Sequence, residues 1–388
     1  MRKSHLLVLC FIIFFSTRTF ALSLHFWDAN GSSSGASPGG NTATGTWGSD
    51  PFWTENGNGE TDTIAWPAGQ IAVFSAGNDA SGTYTVTVQG TQQVADLHID
   101  LGDITFQGGA LNLIDLDGHG INRLLSVGHK DPNTVVRYNV PLIGATNIIR
   151  YKWGLMILGA TNTYSGSTTI EGGTVRLGAP NVMPTNTSLI LANNITNHGD
   201  FNPAWQFTPS VLETDGFSQK LGTLQLLGTD PSVGRVIDFG NGASALSFAD
   251  SSGQTWSGFN LSIMNFTVGS DTLRFGNNSS GLQQAQLDAL HFDGYLNLPA
   301  QIDSNGFVTP ALPLFVSVKR TPPSTVELTW LAVAGRIYRV EFKNDLSDVD
   351  WTALAPDVPA PDNVTHTASY TDTTGSGAKR LYRVRVLP

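Results

Sequence analysis

The chain has 388 residues, of which only 13% are charged, and it carries 42 glycines and a formal net charge of −10. Its length allows two or more domains, and its 40% hydrophobic content excludes a disordered chain. The acid excess argues against nucleic acid or an anionic membrane as partner, since phosphates need clustered Lys and Arg; it also serves simply to keep a protein soluble.

The N-terminus reads as a secretory signal peptide over residues 1–21. Arg2 and Lys3 form a basic start, Leu6 to Phe15 is an apolar run, and Thr19-Phe20-Ala21 offers a cleavage site before Leu22. The apolar run is too short to cross a bilayer. Its Cys10 is the one cysteine of the chain, so the mature protein has no thiol and no disulfide. Leu9 precedes it where a lipoprotein signal wants a small residue, which argues against lipidation. Losing Arg2, Lys3 and Arg18 takes the formal charge from −10 to −13. No later stretch is apolar enough to span a membrane.

Residues 22–70 hold Trp27, Trp47, Trp53 and Trp66 among Gly, Ser and Asn. Two readings are open. The rings form a platform for sugars, or they form a cap that seals the open end of a stack of strands, as the end of any repeat array requires. The cap is preferred, because Trp beside alternating strands is usually core. Strands then follow at about ten-residue spacing with Gly between them: Thr83 to Val88, Val94 to Ile99, Ile104 to Phe106 and Leu111 to Leu116. Such spacing fits either a sandwich or a solenoid.

Trp153 to Ala179 is more specific. Leu155 and Ile157 share one face of a first apolar run, and Val175 and Leu177 share a face of a second, with Thr174 and Arg176 opposite. That is the two-residue period of strands. Asn162, Ser165, Gly166, Gly172 and Gly173 between them supply turns. A unit this small cannot bury its apolar face alone and needs neighbours stacked on it. The run G-L-M-I-L-G-A-T-N-T-Y-S-G-S-T-T-I-E-G-G-T-V-R-L, with one full copy over Leu155 to Leu177, resembles the autotransporter-associated β-strand repeat. The resemblance implies a right-handed parallel β-helix, or solenoid, from the passenger region of a bacterial surface protein. It implies a location and a fold rather than a reaction.

Further strands read as Thr187 to Leu191, Leu221 to Leu227, Val236 to Phe239, Leu246 to Phe248, Leu261 to Phe266 and Thr272 to Phe275, with 194–217 as a projecting loop. Leu282, Ala285, Ala289 and Leu290 share one face of a predicted helix over 281–290, expected to cover the last open edge. Composition changes at the Pro310–Pro313 segment. Only Gly335, Gly375 and Gly377 follow it, while nine of the 21 Lys and Arg do. The domains expected are therefore 22–311 and 312–388.

Residues 312–388 read as six strands: Leu314 to Val318, Thr325 to Leu331, Ile337 to Phe342, Trp351 to Leu354, Ala368 to Thr371 and Leu381 to Val386. The patterns V-E-L-T-W, Y-R-V-E-F-K-N-D-L and L-Y-R-V-R-V are similar to fibronectin type III domains, which implies a small β-sandwich with Trp330 and Tyr382 as core aromatics. These 77 residues are too few for the membrane barrel that ends a true autotransporter.

No nucleophile elbow, phosphate-binding loop or metalloprotease motif is present, and no catalytic, cofactor-binding or metal-ligating residue is assigned. Three weaker patterns remain. Asp115 to Gly120, D-L-D-G-H-G, could offer oxygens to Ca²⁺ but lacks a distal Glu and reads as a polar turn. Asp96, His98 and Asp100 alternate along one strand face and read as solvated. Arg150-Tyr151-Lys152 could bind a sugar acid but reads as a solvated turn. The expected function is a non-enzymatic exported surface or adhesion protein, with extracellular polysaccharide or cell-surface components as partners. The alternative is a carbohydrate-binding or polysaccharide-degrading protein using a groove on the side of the solenoid. Outward-facing Trp or paired carboxylates along one face would favour that alternative; buried Trp and scattered carboxylates would favour the scaffold.

Overall fold

The computed structural model describes residues 22–114, 122–128, 130–192, 208–228, 230–256, 258–295, 299–311, 315–321, 325–332, 337–360, 366–374 and 379–387. The expected signal peptide over residues 1–21, the Asp115 to Gly120 pattern, Trp205 and Phe207 lie outside them. The protein is all-β with long parallel sheets.

The second sheet is the backbone of the fold. Its strands succeed one another in chain order: Gly45–Trp47, Thr83–Val94, Asp103–Leu113, Val135–Asn139, Leu155–Leu158, Gly173–Leu177, Ser210–Glu213, Arg235–Asp238, Leu261–Met264 and Leu290–Phe292. Every one pairs in parallel with the next. The first sheet interleaves with it. Leu24–Trp27, Ile71–Phe74, Leu97–Ile99, Asn122–Val127, Asn147–Tyr151, Thr168–Ile170, Leu189–Leu191 and Leu224–Leu226 are likewise parallel neighbours. A third sheet starts later, with Gln219–Lys220, Ala245–Phe248 and Thr272–Phe275. The chain thus alternates between sheets and returns each time beside its previous strand. Parallel pairing excludes an antiparallel sandwich for this region and is consistent with a β-helix.

Register explains the cohesion. Tyr84, Ile104, Val136, Met156, Val175, Leu212, Ile237, Ile263 and Phe292 are successive partners across the second sheet, and all are buried. Beside them run Val86, Phe106, Tyr138, Leu158 and Leu177. Phe106 and Tyr138 stack with centroids 5.3 Å apart and planes 10° apart. In the run Leu155 to Leu177, Val175 and Leu177 point inward. Their partners are Met156 and Leu158, so Leu155 and Ile157 form the outer face of that strand.

Several predicted elements are corrected by tertiary pairing. Gly108-Gly109 is not a turn. The strand Asp103–Leu113 runs through it, and the partner strand shifts register between Val88 and Thr91. A Cβ on Gly109 would collide with the carbonyl of Gly90 in that bulge. Of the expected strand Leu221 to Leu227 only Leu224–Leu226 forms, in the first sheet, and a separate short strand just before it, Gln219–Lys220, joins the third. Within the expected loop 194–217, Ser210–Glu213 is a strand of the second sheet. The helix is a single turn and a half, Gln284–Asp288. Ala285 is exposed while Gln286 and Leu287 are buried, because Gln286 both caps the helix by accepting from Gln283 N–H at 2.7 Å and donates to the carbonyls of Ser251 and Gln254. Leu290 already belongs to the next strand. The third sheet is finished instead by an antiparallel pair, Ala300–Ile302 and Phe307–Pro310.

The N-terminal tryptophans are core. Trp27, Trp47 and Trp53 are fully buried and Trp66 half-buried, with ring centroids 5.2 Å (Trp27–Trp53), 5.0 Å (Trp47–Trp53) and 4.4 Å (Trp53–Trp66) apart. Phe74 packs on three of them. Edge-on and tilted aromatic packing of this kind adds to area burial.

The last residues form two three-stranded antiparallel sheets. One contains Phe315–Thr321, Thr325–Ala332 and His366–Asp372; the other contains Thr352–Pro359, Ile337–Lys343 and Leu381–Leu387. Leu328 and Trp330 of the first share a separate hydrophobic cluster with Tyr338, Val340 and Val386 of the second. Trp330 is fully buried, whereas Tyr382 is half-buried and donates its hydroxyl to Asp372 at 2.8 Å.

Replacing Trp53 by Ala is expected to cost roughly 3–5 kcal/mol in a urea melt, as removal of a large buried ring does. A loss below about 1 kcal/mol would show that the aromatic cluster does not hold this end of the stack.

Candidate functional site

Where charge sits decides what this surface can do. Of the nine Lys and Arg between residues 22 and 311, four (Arg123, Arg150, Lys152 and Arg235) are buried. The expected solvated turn Arg150-Tyr151-Lys152 is therefore corrected: all three residues are buried. Arg150 occupies an inward position of the first sheet, between Leu125 and Ile170. It sits there because its strand ends at Tyr151, where the chain turns and presents carbonyls. The guanidinium donates to the carbonyls of Tyr151, Lys152, Trp153 and Gly154. Burial pulls its pKa down to about 9, with Tyr138 and Tyr151 opposing the shift. Gly173, with φ +70°, lies over the same turn; a Cβ there would come within 2.5 Å of the Trp153 carbonyl and 2.8 Å of the Lys152 carbonyl. That explains the second Gly of the run G-G-T-V-R-L.

Arg235 repeats the device at a later passage from the first sheet to the second. It donates to the carbonyls of Leu227 and Val233 and lies 3.8 Å over the Phe259 ring. These arginines are internal staples that saturate turn carbonyls. They offer no cation to a uronate.

The Asp96, His98 and Asp100 pattern is also corrected. Leu97 and Ile99 are the inward residues of this strand, but Asp100 is buried and 3.8 Å from Lys130, and Asp96 is 4.0 Å from Arg123. The His98 ring meets Tyr151 edge-on at 6.2 Å. These groups face neighbouring strands of the stack, not open water. Among the described residues, no group of three or more His, Cys, Asp or Glu is arranged to hold a metal ion.

Two carboxylates organise the N-terminal cap. Asp79 accepts from the N–H groups of Ala36 and Ser37 at 2.7 and 3.1 Å. Asp28, fully buried, accepts from Asn30 N–H at 3.0 Å. Burial raises the Asp28 pKa to about 6; the N–H groups of Asn30 and Gly31 lower it, and the nearby Asp79 charge adds to the rise. A proton-holding acid is what a glycosidase needs, but no substrate reaches a side chain with no exposed surface. Both acids pin the loop that closes the aromatic cluster.

The surface feature with functional geometry lies outside the second sheet. A groove of about 530 Å³ runs over three consecutive strands. Its floor is the outward column Leu155, Thr174 and Val211, which are register partners. One side is the next column, where Arg176 pairs with Glu213 at 2.9 Å. Trp153 with Pro132 and Pro209 builds the other. Alternation in the sequence marks Thr174 and Arg176 as outward, but Glu213 lies in the expected loop 194–217, so only register brings the pair together. A smaller groove of about 380 Å³ lies over the turn Thr161 to Ser165 and Asn181 to Asn186.

Comparison with known proteins gives a limited result. Over 193 residues, 46% of this chain, the sequence is 31% identical to the Adhesin BmaC autotransporter of Brucella suis biovar 1 (strain 1330). The match covers 5% of that protein's length. No family model matches the chain, and no solved structure matches it.

Replacing Arg150 by Leu strands several buried carbonyls at roughly 1–3 kcal/mol each. A total loss above about 3 kcal/mol is expected by chemical denaturation; a near-neutral change would mean the turn closes without its staple. For Asp28 the sign follows from the raised pKa. The folded state holds the proton more tightly than the unfolded chain, so this group's contribution to stability falls as pH rises from about 4 through 6. Asp28→Asn, which keeps the acceptor, should melt above the parent at pH 7.5 and converge with it near pH 4. An Asn variant that melts below the parent at pH 7.5 would contradict this.

Proposed function

We propose that the mature chain is an exported surface protein of the adhesion type, built as a scaffold rather than an enzyme. On this reading residues 22–311 are a right-handed parallel β-helix of the autotransporter passenger kind, sealed at its start by the tryptophan cap. Residues 312–388 are a fibronectin type III-like sandwich acting as a spacer or binding module, and residues 1–21 are removed on export.

The observation that carries it is the continuous buried column from Tyr84 to Phe292 across nine parallel strands. A stack of this kind is a rod that presents a long lateral face, and the buried arginines and carboxylates leave its inside without chemistry. The likeness to part of an adhesin autotransporter supports a surface role. The two sheets that share Trp330 and Tyr338, 5.8 Å apart, support the sandwich, for which six of an expected seven or so strands are described.

Displayed on a non-adherent bacterium, residues 22–388 should increase retention on epithelial or matrix-coated surfaces several-fold over the empty display system. Equal retention would sink the adhesion reading. Intact mass of the exported protein should correspond to a chain starting at Leu22; a retained leader would remove the export part alone.

A further inference from the structure

We propose that the groove over Leu155, Thr174 and Val211 is a binding site for an uncharged polysaccharide. This deepens the surface-protein reading and rests on it.

Three observations point to this class. The floor is a register column, so its residues repeat at the strand spacing of roughly 4.8 Å, close to the length of one pyranose unit in an extended chain. A polymer lying across the strands therefore meets an equivalent position at each step. The floor combines Leu155 and Val211 with the Thr174 hydroxyl, and Trp153 contributes to the wall. Apolar and aromatic surface with a few fixed polar groups matches the C–H faces and equatorial hydroxyls of a sugar ring. Third, Arg176 and Glu213 stand side by side at 2.9 Å, both partly exposed. The carboxylate accepts from hydroxyls and the guanidinium donates to them.

Charge selects against polyanions. Arg176 is already neutralised by Glu213, the next outward partner in that column is Asp238, and the mature chain carries −13. A uronate or sulfated chain would meet net repulsion. A peptide is disfavoured as well: the groove lies on the face of the sheet, where all backbone groups are already paired, so no strand can be added.

The test is calorimetric titration of purified residues 22–388 with cellohexaose, mannohexaose and xylohexaose, and with a hyaluronan hexasaccharide as the anionic control. Saturable binding is expected for at least one neutral oligosaccharide and none for hyaluronan. Thr174→Phe, which fills the floor from the outside, and Glu213→Gln, which removes the acceptor charge, should each weaken binding tenfold or more. Thr185→Ala in the smaller groove should leave it unchanged. Circular dichroism melts control for folding, and Glu213→Gln decides if Thr174→Phe misfolds. The proposal is overturned if no neutral oligosaccharide saturates, if only hyaluronan binds, or if neither groove variant changes affinity. Retention of displaying cells separates the two readings. Adhesion without oligosaccharide binding overturns the groove alone, whereas oligosaccharide binding without adhesion overturns the surface-adhesion role and leaves the groove standing.

Discussion

The constraint on which the molecule depends is that inward side chains of each strand sit directly on those of the strand before. Tyr84, Ile104, Val136, Met156, Val175, Leu212, Ile237, Ile263 and Phe292 form one unbroken column through the second sheet. Most of these strands have only three to five residues, too few to bury enough surface to hold themselves. Each becomes stable only because its neighbours cover both its hydrogen-bonding edges. The ends are therefore where special solutions appear: an aromatic cluster with a carboxylate-pinned loop at the start, and an antiparallel pair finishing the third sheet.

Such a stack leaves corners, where the chain passes between sheets and its carbonyls turn away from any ladder. Polar side chains must reach them from inside, since a buried carbonyl without a donor is costly. Arg150 and Arg235 do this with guanidinium forks, Gln286 with its amide and Ser210 with its hydroxyl to the Ala192 carbonyl. Four of the nine Lys and Arg of residues 22–311 are thus taken up inside the architecture. That allocation leaves the outer faces poor in cations and rich in Thr, Asn and short aliphatics, a surface suited to recognition by shape and hydroxyl contacts.

The C-terminal sheets solve the same burial problem differently. Antiparallel pairing brings Trp330 and Tyr338 together from two sheets, and polar contacts guard the periphery. Asp372 is an instance. Burial alone would raise its pKa, but hydrogen bonds from Thr374, Tyr382 and Arg380 outweigh it and hold the carboxylate charged. Arg339 grips Asp357 through two nitrogens at 2.8 and 2.7 Å. Arg380 pairs with Asp372, and Arg383 and Arg385 with Glu341, so several of the basic residues described in this part of the chain answer to local carboxylates.

Alternation of apolar residues with Gly and Asn between them was enough to place most strands, such as Thr272–Phe275, and to mark Val175 and Leu177 as inward. Those are local properties: a period of two and the freedom of turn residues. The tryptophans of the cap were recognisable as core for the same reason. Register was not local. Only the stacking of distant segments turned Arg150 inward into an apolar column, merged Gly108-Gly109 into a continuous strand and split 219–226 between two sheets. The Arg176–Glu213 pair and the groove it borders are likewise products of register, since 37 positions of sequence separate the partners and nothing in either neighbourhood announces the other. The sequence by itself determined which residues prefer strands; the tertiary structure decided which of them meet, because parallel pairing joins segments that no short window of sequence contains.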